Sequence, residues 1–137
     1  MAWSDELSAK YRWHHFDDRW DLLPPQAEPT HRFLQSLDLF VYPLGHQFTE
    51  SWGRSTVEAM LTGAIPIVTA GHHFESLIEH GKSGFLCDDF RDYQACVQRL
   101  AKDPLARRQM SLACRQRAEV LNDPDKHRAI WLEALNV

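Results

Sequence analysis

Glu50 and Glu58 are separated by seven residues in the stretch ESWGRSTVEAMLTG, and Gly53, Arg54, Ser55 and Thr56 lie between them. Before the stretch comes the apolar run Leu39-Phe40-Val41-Tyr42, and after it comes Ile65-Pro66-Ile67-Val68. The order reads as strand, loop, helix start, strand. A helix that begins near Gly53 leaves its first N–H groups without intrahelical partners, and those donors suit a phosphate. A carboxylate on either side suits the vicinal hydroxyls of sugars, which donate well to an anionic acceptor. Gly53 has no side chain, so the backbone can approach a phosphate closely. A nucleotide-sugar, with one diphosphate and two sugars, fits that layout. A plainer reading stays open at this point: both glutamates are solvated residues near a helix N-terminus, where acids are favoured anyway.

The surrounding elements must hold this segment in place. Residues 4–14 form a short helix or a frayed extension. Trp20-Asp21-Leu22-Leu23 reads as a short strand, stopped by Pro24-Pro25, and a helix follows over Pro29 to Leu37. Asp38 to Tyr42 is nearly continuous in apolar residues, as in a strand covered on both faces. A helix runs from about Gly53 to a stop at Gly63. Ile65 to Thr69 is the next strand, Phe74 to His80 a short helix, Gly81 to Gly84 a turn, and Phe85 to Cys87 a third strand. The rest is helical. Tyr93, Cys96, Val97, Leu100 and Ala101 share one face. Asp103-Pro104 and Asp123-Pro124 each read as an N-cap followed by proline at the first helical position. Ala106, Met110, Ala113, Cys114, Ala118 and Leu121 form the buried face of the helix after Pro104, and the last helix holds Trp131, Leu132 and Leu135. Strands alternating with helices give an α/β fold with a parallel sheet flanked by helices and joined by right-handed crossovers. Ligands of such sheets sit at the carboxyl ends of the strands, here Tyr42-Pro43, Thr69-Ala70 and Cys87-Asp88.

Composition narrows the function classes. The chain has 137 residues, enough for one domain with a modest core. A net charge of -4 argues against a nucleic-acid partner, and Arg107, Arg108, Arg115 and Arg117 read as a solvated helix face. The three cysteines form no CxxC pair, which fits buried free thiols in a reducing, cytoplasmic setting. Residues 1–15 have no apolar core of a signal peptide, and no run reaches membrane-spanning length. The adjacent pairs His14-His15 and His72-His73 do not have metal-ligand spacing, so no metal is expected.

Six motifs in order give the segment a family context. They are Asp38 to Pro43, Glu50, Trp52-Gly53 with Glu58-Ala59-Met60, Gly63 to Val68, Gly71 with Glu75, and Gly81 to Leu86. In sequence and spacing they resemble the C-terminal half of the group 1 (family 4) retaining glycosyltransferases of GT-B fold. The resemblance covers residues 16–137, leaving 1–15 as an N-terminal extension. It implies an incomplete, partial Rossmann-like domain that binds a nucleotide-sugar. Glu50 would be the catalytic carboxylate, hydrogen-bonding the transferred sugar, and Glu58 would hold the ribose hydroxyls. Backbone amides around Gly53, Arg54, Ser55 and Thr56 would contact the phosphates, and Gly71 would also bind the donor. The reaction would transfer the sugar with retention of configuration, with no cofactor and no obligatory metal. The base would lie near Leu22 to Pro25.

The chain also departs from that pattern. The family grips the diphosphate with an Arg and a Lys upstream, whereas Arg54 is the one cation between Asp38 and Glu79. Trp52 replaces the usual Phe, and the Gly71-His72-His73 loop lacks the second glycine. The family sheet runs 3-2-1-4-5-6. Residues 18–23 would be strand 3, and the strands near 39–42, 65–69 and 85–87 would be 4, 5 and 6. Strands 1 and 2 and an N-terminal acceptor-binding domain are not among these residues. An unpaired edge on strand 4 would favour self-association. The alternative to an enzyme is a non-catalytic remnant or interaction module on the same scaffold.

Overall fold

The computed structural model describes residues 3–11, 15–45 and 47–135. Its elements are α1 (Trp3–Lys10), α2 (Thr30–Gln35), β1 (Leu39–Tyr42), α3 (Arg54–Thr62), β2 (Ile65–Thr69), α4 (Phe74–Leu77), β3 (Phe85–Cys87), α5 (Phe90–Lys102), α6 (Pro104–Leu121) and α7 (Pro124–Ala134). The fold is α/β, with three parallel strands in the order β1-β2-β3 flanked by helices. Leu39 pairs with Ile65 and Tyr42 with Val68, while Ile67 pairs with Phe85 and Thr69 with Cys87. The three carboxyl ends therefore lie side by side.

The core is built around β2, whose first four residues are all buried. Val57 and Met60 of α3, Phe74 and Leu77 of α4, Leu100 of α5, and Met110, Cys114 and Ala118 of α6 close on it. Local signals end the helices as their chemistry requires. Asp103 Oδ1 accepts from the Ala106 amide at 2.9 Å, and Asp123 Oδ1 from the Asp125 amide at 3.0 Å. Asp89 caps α5 the same way, accepting from Arg91 and Asp92. No helix among the described residues is long and apolar enough to cross a membrane.

Four sequence expectations need correction. Trp20 to Leu23 is not a strand: it is irregular, with Trp20 and Leu23 exposed. A strand needs a neighbouring strand for its N–H and C=O groups, and the sheet among the described residues consists of β1, β2 and β3. β1 is not covered on both faces, since none of its residues is buried and Val41 is 46% exposed. It is an edge strand, paired among the described residues with β2 alone. Ala101 lies outside the buried face of α5 and is exposed. The arginines of α6 are not one solvated face. Arg117 donates to the carbonyls of Ser76 and Leu77 at the end of α4, and Arg107 donates to Leu100 O, while Arg108 and Arg115 are exposed. The last helix, α7, buries no residue. His14 lies outside the described residues.

Candidate functional site

The site begins where β1 ends. Glu50 lies between β1 and α3, and the first turn of α3 follows four residues later. The loop is tied down at its start by Thr69, the last residue of β2. The Thr69 hydroxyl accepts from the Leu44 amide at 2.7 Å and lies 2.9 Å from the Tyr93 hydroxyl of α5. Tyr93 also donates to Tyr42 O at 3.4 Å. One polar cluster thus joins the carboxyl ends of β1 and β2 to α5. Burial raises the Tyr93 pKa, so its hydroxyl stays a donor. The sequence places Thr69 and Tyr42 at strand ends and Tyr93 on an apolar helix face, without joining them. The available signal was a threonine at a strand's carboxyl end, where ligand sites of parallel sheets form.

Gly53 starts α3 in the left-handed region, with φ 70°. Its own space is closed: a Cβ there would come 2.7 Å from a Phe74 ring carbon and 3.2 Å from Leu77. The glycine is therefore required by the turn and by close packing on α4. Its carbonyl accepts the first helical bond, from the Val57 amide at 3.0 Å, which leaves the amides of Arg54, Ser55 and Thr56 unclaimed by the helix. No acidic residue stands in that first turn. A cation does: Arg54, at the positive end of the helix dipole, where an anion would be favoured. The Thr56 hydroxyl in the same turn is fully buried and has no hydrogen-bond partner among the described residues.

Arg54 and Glu58 come together, with Nε 2.9 Å from Oε1 across one helical turn. Glu58 is half-buried, and both residues line a groove of about 670 Å³ with Thr30, His31 and Leu34 of α2 and with Leu61 and Thr62. A second groove, of about 610 Å³, shares Thr30 and is also lined by Leu23, Pro24, Ala27, Glu28 and Phe33 among others. Both volumes fall in the range of small-molecule sites. Glu50 does not line either groove. It is half-buried in the loop ahead of α3 and has no hydrogen-bond or ion-pair partner among the described residues.

Gly71 sits at the carboxyl end of β2, but its amide already donates to Glu75 Oε1 at 2.5 Å. The next two residues, His72 (φ 57°) and His73 (φ 66°), hold left-handed conformations that are unusual for residues with a Cβ. His73 then starts α4. No group of three or more His, Cys, Asp or Glu among the described residues is placed to hold a metal ion.

The arrangement brings together three amides left free by the helix at the start of α3, the Glu58 carboxylate, and a largely apolar groove that shares Thr30 with the Glu58 groove. The family model described as glycosyl transferases group 1 matches residues 3–117. No curated protein matches the chain.

Proposed function

The chain belongs to the group 1 glycosyltransferases, and from that premise we propose that it forms the donor side of a sugar transfer that retains anomeric configuration. The donor is a nucleotide-sugar. Its diphosphate lies over the first turn of α3, its ribose hydroxyls donate to Glu58, and its base occupies the groove lined by Leu23, Pro24 and Phe33. Glu50 receives hydroxyls of the transferred sugar. The anomeric carbon exchanges its bond to the diphosphate oxygen for one to the acceptor oxygen on the same face, and the acceptor's hydroxyl proton passes to the nucleoside diphosphate as it leaves. No metal or cofactor enters this scheme. The acceptor is presented from outside the donor side, by an acceptor-binding domain.

The observation that carries this reading is that two grooves share Thr30 in their walls. One is largely apolar, and the other is lined by the paired carboxylate Glu58 and by Arg54, the first residue of an acid-free helix end. A base, a ribose and a phosphate need those three environments in that order. Arg54 supplies one positive charge, so the amides carry much of the diphosphate binding. The test is calorimetry of the chain with nucleoside diphosphates. Binding that Glu58→Ala weakens about tenfold or more is expected from the loss of a charged hydrogen-bond acceptor. Absence of heat with every common nucleoside diphosphate at millimolar concentration sinks the reading.

A second reading has its own observation. β1 pairs among the described residues with β2 alone, and Val41 on it is exposed. An open edge of this kind favours association of copies and an interaction role. Sedimentation of a dilution series checks it, since a monomer at all concentrations removes it.

A further inference from the structure

We infer that the groove beyond Thr30 takes guanine, which makes the donor a guanosine-diphosphate sugar. The inference rests on the nucleotide reading above and adds the identity of the base. Its walls are largely apolar, with Leu23, Pro24, Ala27 and Phe33 offering flat and aliphatic surface to a ring. One side chain in the lining carries charge, that of Glu28. Among the described residues Glu28 makes no hydrogen bond and no ion pair, so both carboxylate oxygens are open acceptors.

The chemistry of the bases separates on that carboxylate. Guanine presents two adjacent donors, the ring N1–H and the exocyclic N2–H₂, which match the two oxygens of a carboxylate bidentately. Uracil presents one N–H between two carbonyl oxygens, so the second carboxylate oxygen would face an acceptor. Adenine and cytosine each present an amino group beside an acceptor nitrogen, with the same conflict. A carboxylate in this place therefore selects for one base and against three. Gln26 and Thr30, also in the lining, have N–H and O–H donors of the kind that the guanine O6 and N7 acceptors require.

Calorimetric titration of the chain with GDP, UDP and ADP tests this, repeated on Glu28→Gln and Glu28→Ala. GDP is expected to bind at least about tenfold more tightly than UDP or ADP, from the worth of one bidentate pair to a base. Both variants, at an exposed position, are expected to keep the far-ultraviolet circular dichroism of the parent and to erase that preference. Equal or tighter binding of UDP or ADP overturns the guanine assignment and leaves the nucleotide site standing. A GDP preference that survives both substitutions also overturns it. Absence of binding by all three nucleotides, with the fold intact, overturns the nucleotide reading itself.

Discussion

The hydroxyl of Thr69 lies 2.9 Å from that of Tyr93, across 24 residues of chain, and joins the end of the central strand to α5. The same threonine oxygen accepts from the Leu44 amide, which fixes the start of the loop that carries Glu50. Thr69→Val keeps the shape and removes both partners. It is expected to cost about 1–3 kcal/mol, because the part-buried Leu44 amide is left unsatisfied. Tyr93→Phe is expected to cost less, since Thr69 keeps its bond to Leu44. Urea denaturation of the two variants measures the difference. Equal stability of Thr69→Val and the parent would show that the loop start is held by something else.

Gly53 carries a sharper constraint. Its left-handed φ and the 2.7 Å approach of a would-be Cβ to Phe74 act together. Phe74 is fully buried and has no room to turn aside. Gly53→Ala is therefore expected to destabilise the fold by about 2 kcal/mol or more, combining backbone strain with overpacking. Thermal unfolding reads the loss. A melting temperature unchanged by the substitution would contradict the packing of α3 on α4.

The opposite sign is expected at His72. Its φ of 57° suits glycine, and its side chain makes no hydrogen bond among the described residues. His72→Gly is expected to stabilise the chain by about 1 kcal/mol, the relief of a left-handed residue offset by added freedom in the unfolded chain. Denaturant midpoints compare the two directly. A fall in stability would mean that the histidine ring makes a contact worth more than the strain.

The cysteines separate by burial. Burial, aided by nearby Cys96, pushes the Cys87 thiol up to about 12, and burial alone does the same to Cys114. Both have free thiols, and Cys96 is the half-buried one. Below the ordinary thiol value of 9.0 both buried groups stay protonated, folded or unfolded. As pH rises from there towards about 12, the unfolded chain ionises and the folded one resists, so their stabilisation is full below 9.0 and lost over that window. At about pH 8 a thiol reagent is expected to modify Cys96 first, with Cys87 and Cys114 reacting only on unfolding. Mass mapping of the modified peptides checks the order, and early labelling of Cys114 would contradict it.

What the sequence disclosed was local. The caps at Asp103 and Asp123, the glycines that bracket α3, and the apolar runs of β2 and β3 each depend on a few adjacent residues, and each is where those residues put it. Trp20 to Leu23 has strand composition but joins no sheet ladder among the described residues, and a ladder is a property of the whole sheet. The exposure of Val41 has the same cause. At the candidate site, the pairing of Arg54 with Glu58 follows from helical spacing. The Thr69–Tyr93 cluster and the contact of Gly53 with Phe74 do not, because each joins segments about twenty residues or more apart that only the packed fold brings together. Gly71, which the family resemblance places at the donor, has its amide turned to Glu75 instead.

The most direct measurement of the central claim compares two ligands on two variants. A nucleoside diphosphate and the matching nucleotide-sugar are titrated into the parent chain, Glu58→Ala and Glu50→Ala. Glu58→Ala is expected to weaken both ligands about tenfold or more, because both carry the ribose. Glu50→Ala is expected to weaken the nucleotide-sugar and leave the nucleoside diphosphate unchanged, because only the former carries the transferred sugar. Indifference of both ligands to Glu58→Ala would contradict the account.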